Sequence, residues 1–194
     1  MVALRQTAPS RMTVDEFLVW DPDEPSGRAW QLIDGEPVAM APASENHGAI
    51  QGRVATRISN HLEAKRPGCR LIVAPGIVPR TRAGMNWRIP DLGVTCAPPS
   101  GGHTVAEPVL LIEILSPSNE ALTRANIWAY TTIPSVRDIL AIRGTRIEAE
   151  LLTRQADGTW PEEPLTIRGT ERLDLPSIGF SAPLADFYAT SSLG

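Results

Sequence analysis

A short apolar run interrupted by one acidic residue constrains the fold of this chain more than any other feature. Residues 109–115 read VLLIEIL, with Glu113 as the one charged residue. Continuous apolar runs of this length are typical of strands buried on both faces in the middle of a sheet. The run is far too short to span a bilayer. An ionised carboxylate in such a strand costs free energy unless a charge or a metal compensates it, so the run predicts a role other than folding for Glu113.

A second acidic residue, Asp91, follows Pro90 inside another strand-like stretch, residues 88–95. If the two strands are neighbours, both carboxylates project into one pocket. Two carboxylates, with the main-chain carbonyl of Ile114 and water molecules, suit Mg²⁺, which takes few protein ligands and keeps several waters. The structural alternatives are that Glu113 lies at a strand end and reaches water, and that Asp91 caps a turn.

Periodicity and turn residues divide the rest of the chain into a few helices and a larger number of strands. Helices are predicted at 13–20, with a Thr13–Glu16 capping box, at 46–65, from Ser118 or Asn119 to 131, and at 183–188. Strands are predicted at 30–33, 36–40, 70–74, 88–95, 109–115, 137–142 and 146–153, with a final strand after a turn at Gly158. This order predicts a mixed α/β fold with a central mixed sheet flanked by helices.

Length and composition predict one domain rather than two. The 194 residues contain no internal repeat or long linker, so we expect a single domain with a core at about 13–153 and a β-rich C-terminal extension at about 154–194. A net charge of −4 argues against non-specific coating of nucleic acid but leaves room for a local basic cleft. The first ten residues hold no apolar segment of the kind found in signal peptides, and Cys69 and Cys96 have no CxxC spacing. We therefore expect a cytoplasmic protein with two incidental buried cysteines.

Two motifs give the chain a family resemblance. Ile89-Pro90-Asp91-Leu92, followed by Glu113-Ile114-Leu115-Ser116-Pro117-Ser118, resembles the Uma family of restriction-endonuclease-like proteins in the PD-(D/E)XK nuclease superfamily. Asp34-Gly35-Glu36 and Pro42-Ala43-Ser44-Glu45-Asn46-His47 add to the likeness. The resemblance implies a restriction-endonuclease-like core, a divalent metal (Mg²⁺ or Mn²⁺) and hydrolysis of DNA phosphodiesters. It assigns Asp91 and Glu113 to the two acidic positions, and it places Glu36 and His47 near the site.

The sequence departs from the family where a lysine is expected. Leu115 stands two residues after Glu113, and Asn126 stands four residues before Tyr130, where the resemblance places a lysine on the following helix. The chain's one lysine, Lys65, lies at the end of an earlier helix. Arg124 could hold a phosphate but cannot act as a general base. It also lies about 160° from Asn126 around the helix, so the two cannot point into the same pocket.

The helix that carries Asn126 also has a predicted inward face. That face is expected to comprise Ala121, Leu122, Ala125, Trp128 and Ala129, with Asn126 at its edge. Trp128 and Tyr130 are then core and core-edge residues. The arginines near the Pro-Asp motif (Arg80, Arg82 and Arg88) are interpreted as part of a solvated hairpin, the alternative being a DNA channel.

Two functional hypotheses follow. The first is a Mg²⁺- or Mn²⁺-dependent DNA endonuclease, with Asp91, Glu113, Glu36 and Asn126 in the catalytic site and Asp91, Glu113 and Ile114 as metal ligands. It has no membrane partner, and it is a homodimer because cutting two strands needs two sites. The second is a catalytically inactive nuclease fold that binds nucleic acid or a protein partner. The missing lysine favours the second hypothesis, and the retained acidic pair favours the first.

Overall fold

The computed structural model describes residues 11–22 and 28–194. The α-helices are α1 (Val14–Leu18), α2 (Glu45–Lys65) and α3 (Glu120–Tyr130), with short 3₁₀ helices at Ala83–Met85 and Leu184–Phe187. The strands are β1 (Trp30–Ile33), β2 (Glu36–Ala39), β3 (Arg70–Val73), β4 (Leu92–Thr95), β5 (Pro108–Leu115), β6 (Asp138–Arg143), β7 (Glu148–Thr153), β8 (Leu165–Arg168), β9 (Arg172–Leu175) and β10 (Phe180–Pro183). Within these described residues, no helix is both long and apolar enough to cross a membrane.

Six of the strands form one mixed sheet, in the order β3-β4-β5-β6-β7-β8. The β5–β6 pair is parallel and the other pairs are antiparallel. A parallel pair requires a crossover connection, and α3 provides it. The strand that contains Glu113 therefore lies inside the sheet, as its apolar sequence predicts, and the predicted mixed sheet with few helices is confirmed.

The two faces of the sheet are covered by different elements. Side chains alternate along a strand. Leu110, Ile112 and Ile114 of β5 therefore pack with the buried stripe of α2, which comprises Ile50, Val54, Ile58 and Leu62. Leu111 and Leu115 face the opposite side and pack with Ile127 and Tyr130 of α3. Glu113 lies between these two leucines on the same face of the strand and so points toward α3.

The C-terminal segment packs into the same cluster as α2. Its contributions to that cluster are Leu173, Leu175, Ile178, Phe180, Ala182, Leu184, Phe187 and Tyr188. Near the chain end, Ser192 Oγ accepts a hydrogen bond from Asn46 Nδ2 at 2.8 Å, and its backbone N–H donates to Asn46 Oδ1 at 3.0 Å. The last residues thus contact the first turn of α2.

The predicted strand 88–95 is shorter in the structure. Regular pairing begins at Leu92, while Arg88 makes an isolated bridge with Ile77. Pro90 lacks an N–H and cannot donate to a ladder, so the chain reaches the sheet only after it. Asp91 consequently lies at the entrance of β4 rather than within it.

The predicted inward face of α3 is wrong. Trp128 is 62% exposed, and the buried residues are Thr123, Asn126, Ile127 and Tyr130. The helix turns its polar Asn126 toward Glu113. The prediction relied on apolar residues to mark the buried face, and this face is buried because Asn126 makes hydrogen bonds there. Asn126 therefore lies within the buried face and not at its edge.

The expectation of two incidental buried cysteines is also wrong. Cys69 and Cys96 form a disulfide, Cys69 is half-buried and Cys96 is exposed. Arg70 pairs with Thr95 at the end of the β3–β4 ladder, so the residues just outside that pair lie side by side. A separation of 27 residues along the chain carries no local spacing signal for this pairing.

Candidate active site

Sheet register brings Asp91 and Glu113 together. Leu92 of β4 pairs with Ile112 of β5 in antiparallel register, so the preceding residue, Asp91, lies beside the residue that follows Ile112. The backbone N–H of Ile114 donates to Asp91 Oδ2 at 2.6 Å. The predicted juxtaposition of two carboxylates from neighbouring strands is thus what the structure contains.

Helix α2 holds the other side of Asp91. His47 Nε2 lies 2.8 Å from Asp91 Oδ1, and Gln51 Nε2 donates to the Asp91 main-chain carbonyl at 2.9 Å. Ser44 caps this helix and accepts from the His47 backbone N–H. His47 and Gln51 lie four residues apart and so share one face of the helix. His47 therefore orients Asp91, a role that the sequence had left open.

Glu113 is buried and held by α3. Its side chain is 5% exposed, and its Oε1 accepts a hydrogen bond from the Tyr130 hydroxyl at 2.7 Å. Burial raises the pKa of Glu113 well above its ordinary value, and the nearby Asp91 carboxylate raises it further. Hydrogen bonds from Tyr130 and Asn126 lower the pKa but do not cancel the rise. The pair of carboxylates therefore favours the binding of a proton or a cation, which relieves their mutual repulsion.

A network of buried polar side chains adjoins the residues that hold Glu113. Asn126 Oδ1 accepts from Arg88 Nη1 at 2.8 Å, and Asn126 Nδ2 donates to Gln31 Oε1 at 3.2 Å. Arg88 Nη2 donates to Asn86 Oδ1 at 2.8 Å. Burial lowers the pKa of Arg88. The interpretation of Arg88 as part of a solvated hairpin is wrong, because its side chain is buried in this hydrogen-bond network.

The two carboxylates face a cavity of about 450 Å³. Asp91 and Glu113 line it together with His47, Gln51, Asn126 and, among the exposed residues, Arg28. The cavity lies between the start of α2 and the start of α3, since Ser44 and Asn119 also line it. It is large enough to admit a small polar group beside the acidic pair.

Several residues named from the sequence do not meet here. Glu36 is exposed at the start of β2 and does not line the cavity. Arg124 is paired with Glu120 and Glu150 on the other side of α3, so it cannot replace the missing lysine. Lys65 ends α2 as an exposed residue. The contact that Ile114 makes with Asp91 runs through its N–H.

The sequence did not reveal the supporting residues Tyr130, Gln31, Asn86 and Gln51 as parts of the site. Tyr130 had a usable signal, because it lies four residues after Asn126 and so shares that face of the helix. Gln31 and Asn86 come from distant segments and reach the site only through tertiary packing.

The donor set fits a hard divalent ion with few protein ligands. Two carboxylates lie at one cavity, and their mutual repulsion is part of what raises the pKa of Glu113. Within the described ranges there is no group of three or more His, Cys, Asp and Glu side chains that could hold a metal. Mg²⁺ binds through one or two carboxylates and keeps its waters, whereas Ca²⁺ takes six to eight oxygen ligands and structural zinc takes four protein ligands.

This architecture is that of a nuclease-like protein of the restriction-endonuclease class. The structure is similar to that of a putative nuclease belonging to DUF820 from Anabaena variabilis, with a TM-score of 0.71 and 18% sequence identity. The match covers 92% of this chain and 98% of that one. At this level of identity, the match establishes the fold.

Sequence comparison identifies the family. Residues 14–185 match the model of the Uma2 family, described as "Putative restriction endonuclease". The chain is also 32% identical over 192 residues to the uncharacterized protein slr1290 from Synechocystis sp., covering 97% of each. The chain belongs to the Uma2 family. The predicted family and the predicted fold class are both confirmed.

Proposed function

We propose that this protein is a Mg²⁺- or Mn²⁺-dependent nuclease that hydrolyses DNA phosphodiester bonds at Asp91 and Glu113. The observation that carries the proposal is the position of two carboxylates, from adjacent strands, at one cavity. Among the described residues neither carboxylate is paired with an arginine or a lysine, and His47 is the basic side chain in contact with Asp91. Family membership supports the same reaction class.

Asp91 and Glu113 are the residues that would hold the ion, with the Ile114 carbonyl as a further candidate ligand. A bound divalent ion supplies a water of lowered pKa and stabilises the charge that develops on a phosphoryl group. The protein's own contribution is orientation. His47 and the Ile114 N–H fix the two oxygens of Asp91, and Tyr130 and Asn126 fix Glu113. Such supporting hydrogen bonds typically matter about 10–100-fold for metal affinity.

At the mouth of the cavity, Arg28 is the one arginine or lysine among the described residues that line it. A guanidinium at this position suits a phosphate of the DNA backbone. Since Asn126 carries no charge, we expect a slow enzyme. Loss of one positioned transition-state donor costs on the order of 10²–10³ in rate.

Calorimetric titration with Mn²⁺ tests the metal site. Wild type, Asp91→Asn and the control Asp174→Asn are compared, because Asp174 is an exposed aspartate on β9 that does not line the cavity. We expect Asp91→Asn to bind Mn²⁺ at least about tenfold more weakly than wild type, and Asp174→Asn to bind it equally well. Equal affinity in all three proteins contradicts the assignment. Nicking of supercoiled plasmid by the same proteins then tests the reaction.

The uncharged Asn126 supports a second candidate, an inactive nuclease fold that binds nucleic acid. Wild type that binds Mn²⁺ and retains DNA, but nicks no more than Asp91→Asn, identifies this alternative. The proposed homodimer has its own test, because cleavage of both strands by one assembly needs two copies of the site. Sedimentation with and without duplex DNA measures the number of copies.

A further inference from the structure

The buried guanidinium of Arg88 is the feature of this structure that the proposed reaction does not yet use. Arg88 is 6% exposed, and its backbone is pinned to Ile77 by two hydrogen bonds of 2.8 Å. Its Nη atoms donate to the neutral side chains of Asn126 and Asn86. Among the described residues its Nε has no hydrogen-bond partner, and no carboxylate forms an ion pair with the guanidinium. Asp34, which accepts from Asn86, attracts this charge without forming an ion pair with it, and burial nevertheless lowers the pKa of Arg88. Burying a charge is costly, so the fold accepts a cost here.

The contact with Arg88 determines which way the Asn126 amide points. A guanidinium has donors and no acceptor, so the atom of Asn126 that faces it must be the carbonyl oxygen. The amide nitrogen is then turned toward Gln31 and toward Glu113. Without Arg88 the amide could turn over and present its oxygen to the carboxylate. Arg88 therefore acts on Glu113 through Asn126, and its charge also acts on Tyr130, whose hydroxyl donates to Glu113.

We propose that Arg88 is the positioning residue of the site. Its guanidinium, buried against Asn126, holds the Asn126 amide in the orientation that turns its nitrogen toward Glu113, and it makes position 126 intolerant of a second cation. This inference rests on the proposed nuclease function for its effect on rate, but not for its effect on stability. It accounts for an asparagine at position 126, because an ammonium there would lie against Arg88 and remove the acceptor of Nη1.

Moving the positive charge from position 88 to position 126 in the metal-free protein tests whether Arg88 and Asn126 occupy one electrostatic environment. Asn126→Lys alone should lower Tm by about 6 °C or more, since it places two cations together in a buried site. Arg88→Gln/Asn126→Lys should recover at least half of that loss, because one cation remains. The matched control is Arg124→Gln/Asn126→Lys, which has the same net charge. It should recover nothing, because Arg124 is paired with Glu120 and Glu150 instead.

The rate effect is measured on the Mn²⁺-loaded enzyme. Arg88→Gln should reduce kcat for plasmid nicking by about tenfold or more with KM nearly unchanged, since a positioned charge acts mainly on the transition state. Arg88→Lys keeps the charge but loses the forked guanidinium, and it should retain more of the rate than Arg88→Gln. It also provides a second variant in case Arg88→Gln fails to fold. Arg88→Gln/Asn126→Lys should nick at least as fast as wild type.

The outcomes separate this inference from the proposed function. If Asn126→Lys is as stable as wild type, or if Arg88→Gln/Asn126→Lys recovers none of the lost Tm, then charges at positions 88 and 126 do not interact. The inference is then wrong. If recovery occurs but Arg88→Gln nicks at the wild-type rate, Arg88 is a structural residue and the inference is again wrong. If wild type neither binds Mn²⁺ nor nicks DNA, the proposed function fails. The stability cycle, recorded in EDTA, still tests the pairing of Arg88 with position 126.

Discussion

The hydrogen bond between Tyr130 and Glu113 is one that an uncharged side chain could also accept. Glu113 Oε1 accepts from the Tyr130 hydroxyl at 2.7 Å. A glutamine at this position keeps an oxygen acceptor of similar shape while removing the buried charge. The charge itself opposes folding, since burial and the Asp91 carboxylate both raise the pKa of Glu113. Folding therefore does not account for a carboxylate at this position.

We expect Glu113→Gln to leave the metal-free protein as stable as wild type or more stable. A carboxyl group whose pKa is raised on folding contributes stability below its unfolded pKa, and that contribution is lost as pH rises through the folded pKa. The advantage of Glu113→Gln should therefore grow from about pH 4.5 upward. Urea unfolding in EDTA at pH 5 and pH 8 measures it, with exposed Glu63→Gln on α2 as control. A loss above about 2 kcal/mol would show that Glu113 has a structural role.

The elements around the site differ in how far the sequence determines them. Strand β5 and helix α2 are confirmed because their apolar periodicity reflects burial in the core. The face of α3 was misassigned because Asn126 is buried for its hydrogen bonds. The prediction that Arg88 is solvated failed for the same reason. Its side chain is buried through hydrogen bonds to Asn126 and Asn86, and the neighbouring sequence does not indicate this burial. The acidic pair was accessible from sequence, whereas its supporting residues come from distant segments.

The β3–β4 pair depends on a covalent link that periodicity does not reveal. The disulfide between Cys69 and Cys96 closes a loop across a separation of 27 residues. We expect Cys69→Ser/Cys96→Ser to lower the free energy of unfolding by about 3 kcal/mol through the gain in unfolded-state entropy. Reduction of wild type with dithiothreitol should give the same loss. Chemical denaturation of the oxidised, reduced and double-variant proteins measures it. Stability that is unchanged on reduction would exclude a stabilising role for the link.

At the scale of the whole molecule, a charge cluster joins α3 to the far half of the sheet. Its members are Glu120, Arg124, Arg143, Arg146, Glu148, Glu150 and Arg168. Glu148 is buried and contacts three arginines. The hydrogen bond from Arg146 is the largest of the effects that lower the pKa of Glu148 to about 2. Strands β6, β7 and β8 are therefore tied to one another by charge as well as by their ladders.

We expect this cluster to shape the acid stability of the protein. A carboxyl group whose pKa falls on folding contributes stability above its unfolded pKa of about 4.5, and that contribution disappears as pH falls toward 2. Glu148→Gln should be less stable than wild type at pH 7, and the difference should shrink between pH 4.5 and pH 2. Thermal unfolding across this range measures it, with exposed Glu163→Gln as control. A difference that does not vary with pH contradicts the assignment.

The contact between Ser192 and Asn46 has a practical consequence for the design of expression vectors. Asn46 precedes His47, the residue that orients Asp91, so the chain end is fastened one residue away from the site. A purification handle or fluorescent fusion joined after Gly194 is placed at the entrance of the helix that serves the acidic pair. Activity assays should therefore avoid a partner joined after Gly194, because it would load the Ser192–Asn46 contact.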